Sequence, residues 1–127
     1  MNRLPLLILS GALVSPLAAI ATEKCSIHPP AGATQAELIK LATVSQLQAQ
    51  HSAMASLKGR NASVVSSELE AEDGCLIWSF DLKVTGRRGI QEVWVDAGDG
   101  KVIASKQESP RQEAVERAQD AHPEPKR

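Results

Sequence analysis

The sequence predicts an α+β fold: an N-terminal helical segment packed on a four-stranded antiparallel β-sheet in meander order. Three observations predict it. Residues 34–59 carry a helix start, an apolar stripe and a helix stop. From Asn61 onward the apolar period drops from a helical one to two. The alternating stretches are joined by short turns, the connection that antiparallel neighbours use.

Residues 1–21 precede that domain and read as a secretory signal peptide. Arg3 gives a positive start, and "LPLLILSGALVSPLAAI" is apolar but short for a bilayer span and broken by Pro5, Gly11 and Pro16. Ala19 and Ala21 stand where a signal peptidase reads, which places cleavage between Ala21 and Thr22. Thr22-Glu23-Lys24 before Cys25 does not fit a lipobox. The expectation is an exported protein, periplasmic or secreted, with no stable membrane anchor after cleavage. The chain's formal charge of −1 becomes −2 once Arg3 is removed. That balance gives no basic footprint for nucleic acid or a membrane surface.

An N-terminal extension, 22–33, leads through "HPPAGA" to the domain at 34–107. Thr34 with Glu37 three residues on is a capping-box pattern, and Gly59 stands where a left-handed C-terminal residue would close the helix. Leu38, Leu41, Val44, Leu47, Met54 and Leu57 make one stripe, with Gln46, Gln48, Gln50 and Lys58 mostly elsewhere. The stripe thins around Gln50 to Ser52, where a break is expected. His51 lies there and reads as a solvated or partly buried side chain.

"ASVVSSELEAEDG" reads as a strand ending in an acidic turn. In "CLIWSFDLKV", Leu76, Trp78, Phe80, Leu82 and Val84 face one way, and Ser79, Asp81 and Lys83 the other. "TGRRG" turns into "IQEVWVDA", and a further turn leads to "KVIASKQ". The acidic run Glu68, Glu70, Glu72 and Asp73 alternates outward rather than forming a metal cluster. Placing Thr85 opposite Ile90 sets Leu82 against Val93, Phe80 against Val95 and Lys83 against Glu92. A turn over Ala97 to Gly100 then sets Val95 against Val102 and Val93 against Ala104. This face must bury itself against the helical stripe.

By the same alternation Trp94, Ile103, Ile90 and Ile77 point away from the helix, with Cys75. A sheet face of that composition needs cover, either from the chain's own ends or from a partner. These four residues are the candidate partner-binding set. Cys25 and Cys75, in an oxidising compartment and without C-x-x-C spacing, read as one structural disulfide. Closing that loop stabilises by about 4 kcal/mol at most in the chain-entropy model. The polar tail, 108–127, has Val115 as its one large apolar side chain. It reads as solvated and partly disordered, with room for a short helix after Pro110.

Conventional catalytic patterns are missing. There is no G-x-S-x-G, the histidines lie far apart in sequence, and no glycine-rich loop opens a helix. "CSIH" offers one Cys and one His, short of a metal set. "NAS" at Asn61 matches a glycosylation sequon, a triplet common by chance. An EF-hand loop starting at Asp96 would need oxygen ligands where Gly98, Gly100 and Gln107 stand. No catalytic residue, cofactor or metal is expected, and the chain reads as a non-enzyme.

"ELEAEDGCLIWSFDLKV", a short turn and "QEVWVDAGDGKVIAS" together resemble the PepSY domain. Glu68, Glu70, Asp73 and Gly74 match its E-x-E-x-x-D-G strand end. Val95, Asp96, Ala97, Gly100 and Val102 match its V-D-A-x-x-G-x-V hairpin. The resemblance covers about residues 34–107; the Trp residues where tyrosine is common, the Cys pair and the longer helical lead-in depart from the family pattern. It implies a protein-interaction module that restrains or modulates a peptidase, with motif residues that are mainly architectural. The alternative is a small-ligand-binding or envelope-sensing accessory module without a peptidase partner.

Overall fold

The computed structural model describes residues 24–121; the expected signal peptide and its cleavage point lie outside the described residues. The helical segment is two helices, α1 (Gln35–Leu41) and α2 (Gln46–Ala55). Thr34 and Glu37 form the expected capping box on α1. The break falls at Ala42–Ser45 and not at Gln50–Ser52, because Ser45 and Gln48 form a second capping box that starts α2. The sheet fixes the break as well. The N–H groups of Thr43 and Val44 both donate to the Ala97 carbonyl, at 3.0 and 2.9 Å, and Trp78 Nε1–H donates to the Val44 carbonyl at 2.9 Å. Chain leaving α1 thus satisfies its polar backbone on the sheet before α2 begins.

Splitting the helix changes which residues meet the core. Leu38 and Leu57 are buried, but Leu41 and Leu47 face solvent, Leu47 with 63% of its surface exposed. Ala49 and Ala53 are fully buried in their stead; side chains this small let α2 lie close against the sheet. Gly59 is left-handed (φ 83°), as the stop signal implies, and Lys58 before it is too.

Four strands follow, β1 (Ala62–Glu72), β2 (Cys75–Val84), β3 (Ile90–Asp96) and β4 (Val102–Glu108), in the order β1-β2-β3-β4 and all antiparallel. Asp73-Gly74 closes the β1–β2 hairpin with both residues at positive φ, the conformation a two-residue turn matched to strand twist requires. Phe80, Leu82, Val84, Val93 and Val95 pack with Ala49, Ala53 and Leu57 into the main core. Each large apolar side chain so buried contributes about 1.5–3 kcal/mol. Leu38, Leu69, Leu76 and Ala97 form a second cluster under α1, and Trp78 packs against both.

Two register details differ from expectation. Between β2 and β3, Phe80 pairs with Val93 and Trp78 with Val95, two residues from the anticipated match. The loop that accompanies this register packs Gly89 against the end of β4, where a Cβ would lie 1.9 Å from the Glu108 carbonyl oxygen. Asp81 therefore sits opposite Glu92, and Lys83 Nζ donates to the Gly89 carbonyl instead of pairing with Glu92. A shift of two preserves which face each side chain occupies. Between β3 and β4, Val95 does pair with Val102, but a bulge at Ile103 sets Val93 against Ser105 and Trp94 against Ala104. Beyond β4 the tail is helical over Pro110–Ala121 (α3), the place where the sequence leaves room for a short helix. Ser109 caps it by exchanging hydrogen bonds with Gln112.

Candidate functional site

The sheet face opposite α1 and α2 divides into two halves with different covers. At the hairpin end, Ile77 and the Cys25–Cys75 disulfide form a buried cluster, with Trp94 and Ile103 half-buried against it. Toward α3 the face becomes acidic. Glu68, Glu70, Asp81, Glu92 and Glu108, with Glu116 from α3, line a groove of about 550 Å³ that also reaches Trp94 and Lys106.

The chain's first described residues strap the hairpin end. Cys25 bonds to Cys75 across 50 residues, the expected disulfide. Ser26 donates twice to Asp96, from its N–H to Oδ2 and from its hydroxyl to Oδ1, both at 2.6 Å. Leu76 N–H donates to the Ile27 carbonyl at 2.9 Å. Lys24 completes the strap, its ammonium 5.3 Å from the Trp94 ring centroid and 3.4 Å from Asp73. His28 Nδ1 lies 3.0 Å from the Gly74 carbonyl oxygen and 3.7 Å from Cys25 Sγ.

Asp96 is the hub of this strap. Its side chain is buried and also accepts from the Gly98 and Asp99 N–H groups, at 2.7 and 3.3 Å. Burial alone would raise its carboxyl; the hydrogen bonds from Ser26, Gly98 and Asp99 outweigh burial and hold it below the ordinary value. A carboxylate so occupied by the chain's own donors has another task than ligating a cation. Gly98 serves the same junction, since a Cβ there would lie 2.0 Å from the Ser26 hydroxyl.

The acidic half runs the other way. Burial, reinforced by the charges of Glu72 and Glu68, pushes the Glu70 carboxyl up, against a hydrogen bond from Ser79. Burial also raises Glu108, with the charges of Glu116 and Glu92 adding to it and Lys106, 3.7 Å away, opposing. Glu92 has partners of its own in the Trp94 indole N–H and the Ser79 hydroxyl.

Of the four candidate contact residues, Ile77 (0% exposed) lies under the strap and Ile90 (6%) lies opposite Glu108 where the chain turns into α3. Trp94 and Ile103 are partly exposed. Sequence reading missed the Ser26–Asp96 junction, whose two residues are 70 apart with no motif linking them. It missed the groove too, because Glu108 and Glu116 stand in what reads as a solvated tail. Cys25, His28 and Cys75, which "CSIH" alone did not suggest as a set, have their ligand atoms within 4.8 Å of one another.

Among the described residues, no helix is long and apolar enough to cross a membrane. A family model described as the peptidase propeptide and YPEB domain matches residues 19–106. Neither a curated protein nor a solved structure matches the chain.

Proposed function

The chain belongs to the PepSY family, and on that premise we propose that it is an exported, non-catalytic protein-interaction module that restrains or modulates a peptidase. The observation that carries this reading is the family match, which spans the strap, α1, α2 and nearly all of the sheet and whose description names the peptidase propeptide. The contact is the half-buried Trp94, which lines the acidic groove, with Ile103 beside it, Ile77 beneath both and Ile90 farther along β3. An indole with a polar rim is the kind of anchor that carries binding energy at protein interfaces.

The test is to titrate the purified protein against a panel of peptidases from the same compartment. At least one activity should change in proportion to added protein. Trp94→Ala should weaken that effect at least about tenfold, roughly 1.4 kcal/mol, while thermal unfolding stays cooperative. Equal loss of stability and of binding would place Trp94 in the core instead. Unchanged activity across the panel would overturn the peptidase partner and leave a ligand-binding or sensing module.

A further inference from the structure

The geometry points to a metal site latent in the disulfide: once reduced, Cys25, Cys75 and His28 together bind one Zn²⁺-class cation. Their donor atoms already lie within 4.8 Å of one another. A tetrahedral ion with Zn–S of about 2.3 Å and Zn–N of about 2.0–2.1 Å holds its donors roughly 3.5–3.8 Å apart. Cys25 Sγ and His28 Nδ1 are 3.7 Å apart as they stand. The two sulfurs need only separate to a similar distance, which side-chain rotation provides on backbones whose Cα atoms are 5.9 Å apart.

Reduction does not free the strap. Ser26 still holds Asp96 with two hydrogen bonds, and Ile27 still holds Leu76, so both thiols stay beside the imidazole. The cysteines are buried and His28 is exposed, which leaves the fourth coordination position open on the solvent side. Two thiols of class R–SH supply two electrons and two protons: the Cys25–Cys75 bond breaks, R–S–S–R forms, and both cysteines become thiols. The cation then takes up two thiolates and neutral His28, releasing the two thiol protons. His28 carries its remaining proton on Nε2 and gives up its contact with the Gly74 carbonyl.

The full chain, reduced without oxygen and freed of reductant, is titrated with Co²⁺ as a spectroscopic stand-in. We expect thiolate-to-cobalt charge-transfer absorption that saturates at one ion per chain and is competed away by Zn²⁺. Zn²⁺ should raise the Tm of the reduced chain and leave that of the oxidised chain unchanged. His28→Ala should lower affinity by at least about tenfold, while the oxidised Tm falls only slightly from loss of the exposed Gly74 contact. If the reduced chain loses its fold, Zn²⁺ should restore the β-sheet circular dichroism. The proposal is overturned by absent thiolate absorption, by saturation at two chains per ion, by indifference to His28→Ala, or by failure of Zn²⁺ to restore a lost fold.

Discussion

The two segments that flank the sheet, residues 24–28 and α3, cover opposite halves of one face by opposite physics. The N-terminal strap is fixed by a covalent bond, a carboxylate surrounded by donors and a backbone hydrogen bond to β2. Helix α3 instead brings Glu116 toward a face already rich in carboxylates, and its Val115 is half exposed. One cover is held by complementary groups; the other sets Glu116 beside Glu108 and raises its carboxyl. The firm half is tied down by specific bonds, and the acidic half keeps its carboxylates around an open groove.

The comparison can be broken most forcefully at the disulfide. Cys25→Ser with Cys75→Ser should cost roughly 2 to 4 kcal/mol, read as a fall in Tm and in denaturant midpoint. A loss near zero would mean that the bond adds little beyond the hydrogen bonds of Ser26 and Ile27. Asp96→Ala should cost roughly 2–3 kcal/mol, because several buried donors lose a charged acceptor. Its pH dependence has a definite sign. The Asp96 carboxyl titrates lower in the folded chain than its ordinary 3.8, so its stabilisation is full above that value and disappears as pH falls through the lower folded one. Acid unfolding curves of the two proteins should therefore converge at low pH.

Glu108→Gln probes the other cover and should act in the opposite direction. Glu108 titrates above its ordinary 4.5 when folded; its contribution is full below that value and is lost as pH rises through the raised one. Gln should then stabilise at neutral pH by a few tenths to about 1 kcal/mol, with the gain vanishing in acid. A loss of stability at neutral pH would show that the Lys106 pair outweighs burial together with the repulsion from Glu116 and Glu92.

Much of the fold was legible because it rests on local rules. Period-two alternation assigned Phe80, Leu82, Val93 and Val95 to the inner face, and this survived a register error of two residues because faces repeat with that period. The helix break was written in Ser45…Gln48, which obeys the same code as Thr34…Glu37 but was masked by apolar residues that kept helical spacing across it. Ser109…Gln112 repeats the code at α3. The remainder was hidden because it depends on contacts between distant residues. Gly89 and Gly98 read as turn glycines, yet each is small because another segment of chain passes against it. Asp96 reads as a turn aspartate, and only the fold brings Ser26 to it.

That junction also sets an order of events. In a chain that emerges N-terminus first, Ser26 and Cys25 appear long before the residues they bind, 70 and 50 positions later. Cys25 can find Cys75 once β2 has emerged, but the Asp96 socket exists only after the β3–β4 turn closes. The strap made early is therefore completed late: its last hydrogen bonds close only when the β3–β4 turn has formed.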